Sequence, residues 1–219
     1  MKQHTPCDDD REHLCQLMLE FPVENSLSIT EALRTLSLRV EKLNTYFFIK
    51  KLAQLEVDAY FKLLSYLPRA LHRYLFDSIL LNAGEYRKLQ DQNQGVVFFG
   101  PRQQFRGASP NLIDENIQKA IFYLSPFPED AVYNAVKFYQ LFVLTHPFYD
   151  ANGRIGRFLF EMYLNMHETG MQWDLLHEND KWLKKLNECH KRFHSPEYER
   201  YLGFLVSYWT KCTFKYKES

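Results

Sequence analysis

The sequence predicts an all-α fold, a helical bundle interrupted by one short β-hairpin. Apolar residues recur at helical spacing along most of the chain. The segment 95–109 departs from that spacing, because it joins a β-type run of Val and Phe to a Gly-Pro turn. With 219 residues and 46% hydrophobic content, the chain is long enough to bury a full core. We therefore expect a single domain over residues 1–219.

The N-terminal part is predicted to contain two helices after a loose start. Residues 1–10 are polar and are expected to be loose, and a short helix is expected over 11–20. Ser28 or Thr30 is a good N-cap for a helix that runs from about Glu31 into the forties.

The middle of the chain contains the predicted hairpin between helical segments. An aromatic-rich helical stretch is expected to reach about Leu67, and another helix is expected over 68–81. Within 95–109, residues 96–99 form the first β-type run, Gly100-Pro101 is the turn signal, and Phe105-Arg106 is the expected returning strand. An ordinary surface loop is the alternative for this segment.

A sharp corner between two helices follows. A helix is predicted over 129–145, where Ala, Val, Tyr and Phe recur at helical spacing. Pro147 disfavours a helical conformation at His146, so this helix should end there, with the imidazole at the mouth of a loop. A second helix is expected to start at Asn152-Gly153, because Asn is a good N-cap.

The stretch 146–157 holds an unusual set of reactive side chains. Arg154 and Arg157 are three residues apart, so both rise from one side of the first helical turns, and arginine binds phosphate bidentately. The helix start itself attracts anions. Asp150 can hold Mg²⁺ whose other ligands are phosphate oxygens and water. His146, with an ordinary pKa of about 6.5, can accept a hydroxyl proton near neutral pH. The set suits a hydroxyl that attacks a magnesium-bound phosphate chain.

This stretch resembles the signature of the Fic family, His-Pro-Phe-x-Asp/Glu-Gly-Asn-Gly-Arg-x-x-Arg. One fixed position differs, since Ala151 stands where the family most often has Gly. Upstream, Leu-His-Arg at 71–73 and Ala-Gly-Glu-Tyr-Arg at 83–87 look like the family's upstream helix and its Gly-Glu-aromatic-Arg turn. The resemblance covers about residues 20–210 and implies a Fic-like helical bundle.

The resemblance implies that the protein is an adenylyltransferase. A Ser, Thr or Tyr hydroxyl of a target protein would lose its proton to the general base His146 and attack the α-phosphorus of ATP, and pyrophosphate would leave. Asp150 would anchor Mg²⁺. The phosphates would be held by the helix start and its arginines: Asn152, Gly153, Arg154 and Arg157.

The resemblance also assigns residues 95–109 to a flap that holds the target's backbone in an extended form. Its target-docking residues would be Val97, Phe98 and Phe99, and which Phe clamps the target side chain is not decided by the sequence.

An inhibitory segment is implied within residues 11–45. Many Fic proteins carry an inhibitory helix with the pattern Ser/Thr-x-x-x-Glu-Gly/Asn. Here Glu20 stands where Ser or Thr is expected, and Pro22 lies within the expected helix. We expect Glu24 to pair with Arg157 and deny that guanidinium to the γ-phosphate. The alternative is a solvated Glu24 at a turn between helices.

Composition excludes several other classes. A formal net charge of zero, from 27 basic and 27 acidic residues, argues against a broad nucleic-acid footprint. No apolar run is long enough to span a bilayer. No signal peptide is recognised and no Cys-x-x-Cys pair occurs, so reduced thiols in a cytoplasmic protein are expected for Cys7, Cys15, Cys189 and Cys212.

Several alternatives stay open. The helix-like spacing of Cys189, His190 and His194 is compatible with zinc, but a solvated helix face is the favoured interpretation. The tryptophans are expected in the core or an interface: Trp173, Trp182 and Trp209. The function could instead be transfer from another diphosphate donor such as phosphocholine, removal of AMP, or a non-catalytic interaction module. The target protein and the oligomeric state, including a homo-oligomer, are not set by the sequence.

Overall fold

A computed structural model describes residues 8–178 and 180–216, and this part of the chain is mostly helical with small two-stranded sheets. The fold is therefore all-α with a short β-hairpin, as the sequence predicts. Of the residues expected to be loose, 1–7 lie outside the described part, whereas Asp8 already starts the first helix.

The helices and strands have the following bounds. The α-helices are α1 (Asp8–Glu20), α2 (Ile29–Lys42), α3 (Thr45–Leu52), α4 (Val57–Phe76), α5 (Ile113–Phe122), α6 (Ala131–Thr145), α7 (Asn152–Met166), α8 (Trp173–His177), α9 (Lys181–Lys191) and α10 (Tyr198–Thr210). The strands are β1 (Phe98–Phe99), β2 (Phe105–Arg106), β3 (Thr169–Met171) and β4 (Thr213–Lys215).

The described residues fall into two compact units, so the expected single domain stays a prediction. Within the described part of the chain, the first unit comprises residues 8–44 and Tyr66–Tyr86. Its helix α2 is capped by Ser28 rather than Thr30, because the Ser28 side chain accepts from the Glu31 N–H at 3.3 Å while the Glu31 carboxylate accepts from the Ser28 N–H at 2.9 Å. This reciprocal capping box satisfies two otherwise unpaired donors.

Helix α4 corrects one prediction. A single helix runs from Val57 to Phe76 through Pro68, where two helices were expected, and it stops short of Leu81. An internal proline costs about 3 kcal/mol, whereas burying one leucine stabilises by roughly 1.5–3 kcal/mol. The helical spacing of apolar residues continues across the proline, and its buried leucines are Leu64, Leu67, Leu71 and Leu75. Burial of this face outweighs the hydrogen bond lost at the proline.

Within the described part of the chain, the second unit comprises Thr45–Ser65 and residues 87–178 and 180–216. Helices α6 and α7 pack closely, because Gly156 lies where a Cβ would be only 3.1 Å from the Tyr139 ring. Trp209 is fully buried, with its ring 4.8 Å from that of Phe160 and 5.2 Å from that of Tyr139. Trp182 is also buried, so these two tryptophans belong to the core as expected.

The second unit holds both sheets. Strands β1 and β2 form the predicted antiparallel hairpin, with Phe99 opposite Phe105. Strands β3 and β4 form a second antiparallel pair, with Gly170 opposite Phe214, which the sequence analysis missed. Strands of three residues carry too little alternation to be recognised, and these two are far apart in the chain.

Helix α9 corrects the expectation of a solvated face at the Cys-His pair. Cys189 and His190 are buried, while Lys191 is exposed. Among the described residues, there is no group of three or more His, Cys, Asp or Glu side chains that could hold a metal ion. No helix in the described ranges is long and apolar enough to cross a membrane.

Candidate active site

The loop between α6 and α7 begins at His146, as the proline signal predicts. Helix α6 ends at Thr145, and His146 caps it in the left-handed conformation with φ 50° and ψ 59°. Its N–H still donates to the Phe142 carbonyl at 3.2 Å. The left-handed region is unusual for a residue other than Gly and is often found at functional sites. Pro147 follows directly and keeps the chain from continuing the helix.

A buried arginine holds this corner in place. Arg87 Nε donates to the His146 carbonyl at 2.8 Å, and its Nη2 donates to the Ala108 carbonyl at 2.9 Å. Its Nη1 also donates to the Gly95 carbonyl. Burial lowers the pKa of Arg87 to about 10, so the guanidinium stays charged at neutral pH. Sequence analysis noted Arg87 only as part of an upstream turn, because backbone carbonyl partners leave no sequence signal.

The His146 imidazole has a defined orientation. Its Nδ1 lies 3.3 Å from the Val143 carbonyl oxygen, which favours the tautomer with the proton on Nδ1 and a free lone pair on Nε2. Phe99 of β1 stacks on the ring, with centroids 4.2 Å apart and planes 12° apart. Burial lowers the pKa of His146 to about 4, and the positive charge of Arg87 acts in the same direction, against the Val143 carbonyl and Asp150. The imidazole is therefore neutral at pH 7, which is the form that accepts a proton.

A second histidine lies behind the stacked phenylalanine. The His190 ring makes edge contacts with Phe105 at 5.3 Å and with Phe99 at 6.0 Å. Its Nε2 lies 3.3 Å from the Gln140 carbonyl oxygen in α6. Burial lowers the pKa of His190 to about 4, so this ring is also neutral. No local feature of the sequence links α9 with the loop, since only tertiary packing brings them together.

The predicted metal ligand and the first predicted phosphate-binding arginine are in direct contact. Asp150 Oδ1 accepts from Arg154 Nη2 at 2.8 Å, and both side chains are partly buried. The same oxygen accepts from the Ala151 N–H. Asp150 therefore lies just before the first turn of α7, with its carboxylate beside the guanidinium.

The start of α7 corrects the predicted N-cap. Ala151, with φ 59° and ψ 9°, is the N-cap, and Asn152 is the first helical residue. The Asn152 side chain is buried and faces back to Phe148, where Nδ2 donates to the carbonyl at 2.8 Å and Oδ1 accepts from the N–H at 3.0 Å. Asn152 thus closes the loop. The left-handed backbone at Ala151 explains why Gly is the usual residue at this position of the signature, since Gly adopts it without strain.

Gly153 and Arg157 face different surroundings. A Cβ added to Gly153 would meet no heavy atom within 4 Å, so the surface at the start of α7 is open there. Arg157 is half-buried near Tyr139. Burial raises the pKa of Tyr139, and the Arg157 guanidinium opposes that rise.

The flap lies close to the loop because of a glycine. A Cβ on Gly107 would lie 2.8 Å from the Val97 side chain, 2.9 Å from Arg87 Nη2 and 3.1 Å from the His146 Cβ. The Gly107 N–H donates to the Val97 carbonyl at 3.0 Å and continues the pairing of the hairpin. Phe98 is 56% exposed, in contrast to its inward-facing neighbour in the strand.

The predicted inhibitory residue lies in the first unit. Helix α1 ends at Glu20, and Glu24 is exposed in a turn before α2. Residues 21–25 are therefore not helical here. The pairing of Glu24 with Arg157 stays a prediction.

Comparison with known proteins adds the following. Residues 64–164 match the family model described as the Fic/DOC family. The N-terminal Fic domain of a Bartonella effector protein from Bartonella sp. AR 15-3 is 16% identical, with a TM-score of 0.61 over 90% of this chain and 92% of that chain. BepC from Bartonella tribocorum, solved with bound AMPPNP, is 12% identical, with a TM-score of 0.55 over 91% of this chain and 98% of that chain. No curated protein matches the sequence significantly. At these identities the solved structures establish the fold.

Proposed function

Since residues 64–164 belong to the Fic/DOC family, a family of transferases, we propose that the protein is an adenylyltransferase. It transfers AMP from ATP to a Ser, Thr or Tyr hydroxyl of a target protein. The observation that carries the proposal is the neutral, oriented imidazole of His146 at the mouth of a loop that leads into an arginine-bearing helix start.

His146 acts as the general base. With the Nδ1–H donated to the Val143 carbonyl oxygen, Nε2 is the atom that takes the proton from the target hydroxyl. The hydroxyl oxygen then forms a bond to the α-phosphorus, the bond from this phosphorus to the bridging oxygen breaks, and pyrophosphate leaves with those electrons. Such a transfer depends mainly on positioning and on electrostatic stabilisation.

The first turn of α7 holds the phosphates. Arg154 is kept at that turn by Asp150, 2.8 Å away, where unpaired N–H groups and the helix dipole also favour an anion. The open surface at Gly153 leaves room for the phosphate chain. Arg157, one turn further on, serves the outer phosphate. The AMPPNP bound to BepC supports a nucleotide as the donor.

Asp150 is the residue that would hold Mg²⁺. A single carboxylate suits this ion, which takes its other ligands from phosphate oxygens and water. When bound, Mg²⁺ neutralises phosphate charge and polarises the phosphoryl oxygens. The role of Asn152 in binding is indirect, since its amide is used by Phe148 and sets the shape of the loop.

Donor profiling tests the proposal. The purified protein is incubated with Mg²⁺ and either ATP, another nucleoside triphosphate or CDP-choline, and transfer to itself and to proteins of a cell extract is followed by intact-mass and peptide mass spectrometry. AMP transfer that falls by roughly 10²–10⁴-fold in His146→Ala supports the assignment. Transfer of phosphocholine or of another nucleotide, or wild-type activity in His146→Ala, refutes it.

The nucleotide site is tested by calorimetry. Asp150→Ala should weaken ATP binding more strongly in the presence of Mg²⁺ than in its absence, whereas Arg154→Ala should weaken it to a similar degree with and without the ion. Arg106→Ala, an exposed arginine of the flap, is the matched control and should bind like the parent. Unchanged ATP binding in both loop variants would show that this corner does not bind the nucleotide.

Glu24 is proposed to restrain the activity by occupying Arg157. Glu24→Gly should then raise AMP transfer, and adding His146→Ala should cancel the gain. Asn25→Gly, in the same exposed turn, is the control. Equal activity in the parent and in Glu24→Gly would show that this segment does not inhibit.

A further inference from the structure

The two phenylalanines of β1 face opposite directions. Phe98 is 56% exposed, whereas Phe99 stacks on the His146 imidazole with ring planes 12° apart and centroids separated by 4.2 Å. Successive side chains of a strand point to opposite faces, so one flap residue cannot both stack on His146 and face outward. The alternation separates an exposed side from a side that faces the loop.

Phe99 is itself held from behind. Its ring lies 5.6 Å from that of Phe105, its partner across the hairpin, and 6.0 Å from the edge of His190. His190 and Phe105 are also in edge contact at 5.3 Å. His190 is in turn held by α6, since its Nε2 lies 3.3 Å from the Gln140 carbonyl oxygen. The helix that precedes His146 therefore also supports the Phe99 ring that covers His146.

The backbone of the flap is tied to the same corner. The Ala108 N–H donates to the Thr145 carbonyl at 3.0 Å. Arg87 donates to the carbonyls of both Ala108 and His146, at 2.9 and 2.8 Å. One buried guanidinium therefore sets the flap base and the His146 backbone together, which leaves little freedom for the stacked rings to slide.

We propose that Phe99 is a positioning residue for His146, and that of the two phenylalanines only Phe98 is left to contact the target. This inference rests on the proposed function in that His146 is taken as the base. By covering one face of the imidazole, Phe99 keeps the ring plane aligned and water away from that face. The target hydroxyl must then approach in the ring plane at Nε2, which is where the lone pair lies.

The contact is tested first without any measurement of activity. With ¹³C-labelled histidine, the ring protons of His146 are assigned from their loss in His146→Gln. In the unmodified protein they should show nuclear Overhauser contacts to Phe99, and their resonances should be shifted upfield by the stacked ring. Phe99→Leu should remove this upfield shift, while Phe99→Tyr and Phe98→Leu should keep it. Absence of both signals in the unmodified protein overturns the proposal, even if Phe99→Leu does not fold.

Kinetics then separates the two phenylalanines. Phe99→Leu should lower kcat on the order of 10–10²-fold with an unchanged KM for the target, since misplacement of a reacting group costs that much. Phe99→Tyr, which retains the ring, should restore kcat. Phe98→Leu should raise the KM for the target and leave kcat nearly unchanged. Equal effects of both leucine variants on KM, with kcat unaffected, overturn the proposal.

The two assays distinguish this inference from the proposed function. If the His146 resonances show the stacking with Phe99 but the protein transfers no AMP, the contact is confirmed and the proposed function is refuted. If AMP transfer depends on His146 but the His146 resonances show no ring-current effect of Phe99, the proposed function stands and the positioning role is refuted.

Discussion

Replacing Arg87 with Met should destabilise the protein strongly. The guanidinium makes three well-placed bonds to backbone carbonyls, those of Gly95, Ala108 and His146. A hydrogen bond from a charged donor contributes about 1.5–3 kcal/mol, so three give at least roughly 4 kcal/mol. The methionine variant loses less free energy than this, because it removes the cost of burying a charge. The lowered pKa of Arg87 reflects the same cost. We expect a net loss of about 2–4 kcal/mol, with buried carbonyls left unpaired.

The loss is measured by urea unfolding followed by circular dichroism and by calorimetry. For a chain of this size it corresponds to a fall in Tm of roughly 4–16 °C. Arg106→Met is the matched control, since Arg106 is exposed on the same flap and should change stability by no more than about 0.5 kcal/mol. If Arg87→Met lost less than about 1 kcal/mol, or no more than the control, the carbonyl bonds would not hold this corner together.

Three further predictions concern stability. Burial lowers the pKa of His146 and of His190 to about 4 in the folded protein, against an ordinary 6.5, so the unfolded chain binds more protons between these two pH values. The free energy of unfolding should therefore fall as the pH drops from 6.5 to 4, by up to about 1.4 kcal/mol per pH unit for each histidine. Urea titrations of His190→Gln should show a shallower fall. Asn152→Ala should cost roughly 2–4 kcal/mol in urea unfolding, because the N–H and carbonyl of Phe148 lose their partner, and a cost below about 0.5 kcal/mol would contradict that role. Ala151→Gly should raise stability by up to about 1 kcal/mol, since the left-handed backbone strains alanine, and a destabilised variant would refute that reasoning.

Local signals predicted most of the elements around the site. Pro147 ended α6 at the expected residue, because a proline restricts its predecessor whatever the rest of the fold does. The β-type run and the Gly-Pro turn predicted the hairpin because they too are preferences of residues close in the chain. Pro68 was misjudged, because the burial of leucines along α4 outweighs a local preference. Propensity is a weak guide wherever packing contributes more free energy.

The sequence by itself determined the all-α class, the corner at His146 and the order of reactive side chains from Asp150 to Arg157. Those features depend on residues close in the chain, whose backbone preferences and spacing are visible without a structure. Only the tertiary structure decided that Phe99 faces His146, that His190 supports it from α9, and that Arg87 joins flap and loop. These contacts join residues that are distant in the chain, through ring faces and backbone carbonyls, and no local spacing or motif shows which of these groups will meet.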